Sequence, residues 1–228
     1  MPKSTSAIKV SDSDKAWNRK SKSGNYRIET IPINKTILIV CEGQTEKLYF
    51  EAFPVLAMRV EAINLGGQSK LKLVESTIEI IKSSDKEYDE IWCVFDMDVR
   101  RGADEFADFD NSIIKALQLG YKVAYSNDSF ELWFFLHYHF IDSQQLRTFY
   151  YKALSKKFGL KYDPDGKKYN FCLKIYKILL TDNNSSQDKA IERAMQLFEK
   201  QKDLPWSKQN PVTKVYELVE ELNRNLRN

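Results

Sequence analysis

A chain of 228 residues that is 43% hydrophobic and 13% aromatic can bury one good-sized core, which excludes an intrinsically disordered protein; a net charge of +3 excludes neither acidic nor basic partners. Three cysteines (Cys41, Cys93 and Cys172) show no CxxC spacing, and the first two lie in apolar runs, so a disulfide framework is excluded and a reducing compartment expected. No apolar run approaches the roughly 18 residues that span a bilayer, and MPKSTSAIKVSDSDK lacks a signal peptide's apolar core, so the expectation is a cytoplasmic protein with no membrane partner.

Residues 1–30 are polar and rich in Ser and Lys, and read as a basic flexible arm. From Thr36 short apolar runs alternate with segments of helical period, the pattern of βα units and a parallel sheet. Strands are expected at 36–41, about 60–64, 90–95 and 122–125, and helices at about 44–53, 69–83, 107–118 and 129–140. Beyond Asp142 no strand is evident, and 143–157, 168–180, 186–202 and 212–225 read as helices, the last opened by Asn210-Pro211. The organisation is thus an arm (1–30), an α/β core (31–142) with a mostly parallel sheet flanked by helices, and a helical C-terminal region (143–228).

Two strands end in acids. Ile37 to Cys41 breaks into Glu42, Gly43 and Glu46, and Ile91 to Phe95 breaks into Asp96 and Asp98. A carboxylate just beyond a parallel strand lies in the crevice where open α/β sheets hold ligands. Several together suit a hard cation such as Mg²⁺, which takes oxygen ligands. In extended chain Asp96 and Asp98 point the same way, although Asp-x-Asp alone also fits a solvated loop. Gly43 suits a tight strand-to-helix turn. Glu46 reads equally as a metal or water contact and as a first-turn acid in a helix that Thr45 caps. Arg100 and Arg101 read as phosphate contacts or as solvated loop charges.

In YSNDSFELWFFLHY, Asp128 and Glu131 have capping-box spacing, which explains Glu131 structurally; yet this segment leaves a strand at the same sheet edge as the other acids. Phe130, Trp133 and Phe134 are expected in the core, and His137 beside them as a satisfied core residue. Leu65-Gly66-Gly67-Gln68-Ser69-Lys70 lacks the Walker pattern and reads as a turn and cap, with Ser69 or Lys70 as a phosphate-contact candidate. Residues 147–177 interleave cations, Lys156, Lys157, Lys167 and Lys168 among them, with aromatic rings. That is the composition of a nucleic-acid groove, or of amphipathic helices with rings inward and lysines outward.

CEGQTEKLYFEAF, VFDMD, SNDSFELWFFLHY and the closing NPVTKVYELVEEL, in this order, resemble the blocks of the RloB-like family, associated with prokaryotic antiphage and restriction loci. The resemblance runs from about Thr36 to the end. It implies a Toprim-like fold, with Glu42 as metal-linked acid or general base and Asp96 and Asp98 as ligands of Mg²⁺ or Mn²⁺. Glu131 belongs to a family block without an assured Toprim role. Asp128-Ser129 stands where many relatives are expected to have Pro-Cys or a similar pair.

The expected function is a divalent-metal-dependent nuclease acting on DNA or RNA, tRNA included, in antiphage defence, with Glu42, Glu46, Asp96, Asp98 and Glu131 as the candidate catalytic set. A second reading is a non-catalytic nucleic-acid sensor that partners an ATPase, since the chain has no Walker motif and the family's gene neighbourhoods hold such partners. An Asp-x-Asp phosphatase is a third, disfavoured because its motif normally ends the first strand. A small protein with exposed helices also suits a homodimer.

Overall fold

The computed structural model describes residues 35–63, 69–98 and 103–227. The arm, the glycine-rich loop before Ser69, and Arg100 and Arg101 lie outside the described residues. Apolar runs become strands: β1 (Ile37–Cys41), β2 (Met58–Ala62), β3 (Glu90–Met97) and β4 (Lys122–Asn127) are parallel, and β5 (Val212–Thr213) runs antiparallel to β4. The strand order is β2-β1-β3-β4-β5. From β1 the chain steps to one side to form β2 and to the other to form β3, so the topological switch lies between β1 and β3.

Helices cover both faces, which is why the central strands are continuously apolar. Side chains alternate along a strand, so Ile37, Ile39, Cys41, Trp92 and Val94 join one cluster and Leu38, Val40, Cys93, Phe95 and Met97 the other. On the second face lie α2 (Lys70–Lys82), through Leu73 and Val74, and α3 (Ala103–Gln118), through Phe109, Ile113 and Ala116. The first face receives α1 (Gln44–Glu51) and the C-terminal helices α4 (Glu131–Leu136), α5 (Arg147–Phe158), α6 (Tyr169–Thr181), α7 (Gln187–Gln201) and α8 (Val215–Arg224). Phe130, Trp133 and Phe134 are buried there, with Trp133 Nε1 donating to the Tyr49 hydroxyl at 2.9 Å. His137 is buried as expected, its Nδ1 3.0 Å from the Trp133 carbonyl.

The structure corrects the sequence reading in four places. A strand does occur beyond Asp142: β5 is two residues long, too short for a period to register, and is held by Ser126 Oγ and Thr213 Oγ1 at 2.8 Å. Asn210-Pro211 is a cis bond leading into β5, and the last helix starts at Val215. Asp128 and Glu131 form no capping box, because Asp128 accepts the backbone N–H of Arg147 at 2.8 Å and so caps α5 instead. Thr45 lies inside α1, whose N-cap is Gly43, with its hydroxyl 3.6 Å from Cys172 Sγ. The α2 N-terminus shows the same use of distant acids: Asp108 of α3 accepts from Lys70 N at 2.6 Å. Such caps come from other elements and leave no local spacing to read.

Candidate active site

The carboxyl ends of β1, β3 and β4 are neighbours, and each carries an acid predicted from the sequence. Glu42 follows β1, Asp96 is the last residue but one of β3, Asp98 follows it, and Glu131 opens α4 shortly after β4. Glu42 Oε2 accepts the Asp96 backbone N–H at 3.4 Å, tying the first two strand ends together. Glu46, in the first turn of α1, is buried and folds back over the turn: a Cβ added at Gly43 would lie 2.3 Å from Glu46 Oε2. Gly43 is thus required by close approach of a carboxylate.

Three cations of the described residues meet these acids: Lys70, Lys167 and Arg147. Lys70, a phosphate-contact candidate in the sequence, is 1% exposed, with Nζ 2.9 Å from Glu42 and 3.1 Å from Glu105 of α3. Its pKa is raised: burial alone would lower it, but the two carboxylates outweigh burial. Lys167 lies 3.7 Å from Glu131 and donates to the Tyr151 hydroxyl at 2.5 Å. Arg147, which the sequence gave no reason to single out, places its guanidinium 3.4 Å from Asp98 and 3.7 Å from Asp128. The only signal for it is its place as the first residue of the helix that Asp128 caps, which is visible once the fold is known. Lys156, Lys157 and Lys168 are exposed and are not brought to the acids; Lys157 sits 4.9 Å over the Tyr138 ring and Lys168 2.7 Å from Asp165. Of the rings among these cations, Tyr150, Tyr151 and Tyr162 are buried and Phe158, Phe171 and Tyr176 pack against the core, so most face inward.

The acids outweigh these cations. Burial, then the neighbouring charges of Glu46, Glu131 and Glu42, push Asp96 well above the ordinary carboxylate range, with Arg147 opposing. Glu46 is pushed up to about 7, first by burial and then, against hydrogen bonding to its own backbone, by Glu131 and Glu42. Carboxylate oxygens are what a hard divalent ion takes, and Glu42, Asp96 and Asp98 are part-exposed, so the donor set fits Mg²⁺ or Mn²⁺ in kind. As placed, among the described residues, no three His, Cys, Asp or Glu side chains converge to hold an ion. Glu42 is turned to Lys70 and Asp98 to Arg147.

The fold and this edge define an α/β protein with an acidic crevice at the topological switch of a mostly parallel sheet. The chain belongs to the RloB-like protein family, whose model matches residues 37–222. No curated protein and no solved structure matched the chain. Among the described residues no helix is long and apolar enough to cross a membrane.

Proposed function

We propose that this protein is a divalent-metal-dependent phosphodiesterase of the Toprim type that cleaves DNA or RNA in antiphage defence. The observation that carries the reading is the gathering of Glu42, Glu46, Asp96, Asp98 and Glu131 at the carboxyl ends of three neighbouring strands, where Asp96 and Glu46 are pushed up by burial and by the charge of neighbouring acids. Glu42, Asp96 and Asp98 would hold Mg²⁺ or Mn²⁺. Such an ion, when bound, supplies an activated water and charge neutralisation at the scissile phosphate.

The chain's own groups do the rest. Glu42, tied to the Asp96 backbone and to Lys70, would take a proton from the attacking water. Glu46 and Glu131 surround Asp96 and fix its charge state. Arg147 and Lys167 orient Asp98 and Glu131 and are the cations nearest to a phosphate lying on those acids. Arg100 and Arg101 follow the acid pair and stay candidates for the same contact.

The test is cleavage of labelled tRNA, single-stranded DNA and duplex DNA with Mg²⁺, Mn²⁺ or EDTA, beside Asp96→Ala. EDTA-sensitive products that vanish in Asp96→Ala support the reading; equal cleavage by both proteins overturns it. One observation favours a second reading, a non-catalytic nucleic-acid sensor working with an ATPase. Lys70 already sits between Glu42 and Glu105, where a metal-dependent enzyme would have room for its ion. That reading predicts salt-sensitive binding unchanged by Asp96→Ala, with no product under any metal.

A further inference from the structure

Beside the acids, on the first turns of α5, lies a groove of about 260 Å³ lined by one helix face (Thr148, Tyr151, Lys152 and Ser155) and, opposite, by Lys161, Tyr162, Asp163 and Pro164. Its walls are fixed by the chain itself. The Ser155 hydroxyl donates to the Tyr151 carbonyl at 2.6 Å and accepts the Tyr162 N–H at 2.9 Å, locking the helix to the π-helical turn Tyr162–Gly166. A Cβ at Gly166 would lie 2.3 Å from the Tyr162 ring, so only glycine lets that ring lie flat against the turn.

We infer that this groove holds an unpaired nucleobase of the strand whose phosphate reaches the acids, so that the substrate is single-stranded or locally unpaired nucleic acid. This rests on the nuclease reading and names its substrate class. The lining is mostly apolar, with Tyr151 in its wall, and it suits a flat heterocycle better than a charged group. The rim is cationic, Lys152 and Lys161 against the single acid Asp163, and α5 carries Arg147, Lys152, Lys156 and Lys157 with no acid at all. Apolar walls for a base under cations for its phosphates is the chemistry of single-strand binding. The groove also shares a wall with the site: the Tyr151 hydroxyl that borders it accepts from Lys167, which reaches Glu131. A base seated there lies one side chain away from the acidic crevice.

The test uses the full chain in EDTA, so that no cleavage intervenes, with short single strands carrying the fluorescent base 2-aminopurine and a fully paired hairpin of the same sequence. Thr148→Trp fills the groove from an exposed helical position and Lys152→Gln removes one rim charge; thermal melting verifies that both variants fold. Quenching of the base analogue by the parent is expected. Thr148→Trp should abolish it and weaken single-strand binding by about tenfold, a typical loss for one stacked base, while hairpin binding changes by less than about twofold. Lys152→Gln should reduce the salt slope of single-strand binding by about one. Quenching that survives Thr148→Trp, or equal loss for single strand and hairpin, overturns the inference, as does capture of the hairpin as tightly as the strand. Failed cleavage with intact groove-dependent quenching would count against the nuclease reading alone, whereas cleavage with groove-independent binding would count against the groove alone.

Discussion

Strand β3 begins and ends in carboxylates, and the two ends are treated oppositely. At its start Glu90 receives Lys35 at 2.8 Å, Lys122 at 2.9 Å and Trp92 Nε1 at 3.1 Å, while Lys35 also serves Glu221 of α8 at 2.9 Å. Burial there is outweighed by these donors, and both glutamates are held below the ordinary carboxylate range. At its far end Asp96 is pushed up by burial and by Glu46, Glu131 and Glu42. The same chemical group on one strand is therefore held among cations at one end and among other acids at the other. Folding selects satisfied charges, and a carboxylate pushed up by burial and by other acids, in a crevice at the strand ends, is the kind of group that the proposed function uses.

The sharpest way to break this contrast is chemical. Glu42→Gln keeps the shape of the edge and removes its proton acceptor, so metal-dependent cleavage should fall by about 10²–10⁴-fold. The equivalent change at the other edge, Glu90→Gln, should leave turnover within about twofold. Single-turnover rates with saturating Mg²⁺ decide it, and equal losses at both edges would end the distinction.

Next in size is Lys70→Met. Removing a buried cation from between Glu42 and Glu105 leaves two carboxylates facing each other, a change that typically costs about 3 kcal/mol or more. For a protein of this length the melting temperature should fall by about 10 °C. Added Mg²⁺ should restore more stability to this variant than to the parent, because an ion can stand where the ammonium stood; a melting shift equal in both would show that the crevice takes no cation.

The edges should also differ in the sign of their pH dependence. Glu46, at about 7 in the folded chain against an ordinary glutamate value of 4.5, binds its proton more tightly when folded, so the stability it contributes is present below about 4.5 and is lost as pH rises through 7. The Glu90 pKa is depressed by folding, so its contribution is present above the ordinary glutamate value and lost as pH falls below it. Glu46→Gln should flatten the decline in stability between pH 4.5 and 7, by an amount on the order of 1–3 kcal/mol, in urea melts without metal. A steeper decline in the variant would mean that Glu46 is ionised when folded.

Much of this edge was legible in the sequence because its signals are local. Buried strands ending in acid at Cys41-Glu42 and Phe95-Asp96 announce themselves by an abrupt change of polarity, and the βα alternation put those ends on one side of the sheet. Asp128 misled because Asp-x-x-Glu reads as a capping box within one helix, whereas its carboxylate caps α5, nineteen positions on. The burial of Lys70 was not legible because a lysine after Gly-Gly-Gln-Ser carries no sign of being buried, and its partner Glu105 comes from α3. Arg147 was one cation in a basic stretch until the fold set it against Asp98. Acids at strand ends are written in one dimension, and the cations that answer them come from elsewhere in the chain.

The smallest expected effect sharpens the comparison from the satisfied side. Lys122 is half-exposed, lies 2.9 Å from Glu90 and 5.0 Å over the Trp92 ring, and shares its carboxylate with Lys35 and with Trp92 Nε1. Removing it in Lys122→Ala leaves Glu90 with two donors, so the loss should stay within about 1 kcal/mol, as for an exposed pair. Lys70 has no such understudy among the described residues: of their side-chain contacts to Glu42, the long Asp96 N–H bond is the one that survives its removal, and that is a backbone donor without net charge. Urea melts of the two lysine variants therefore measure redundancy directly. A Lys122→Ala loss as large as that of Lys70→Met would mean that both edges depend on single cations, and the carboxyl edge would lose its claim to be the one left open for a ligand.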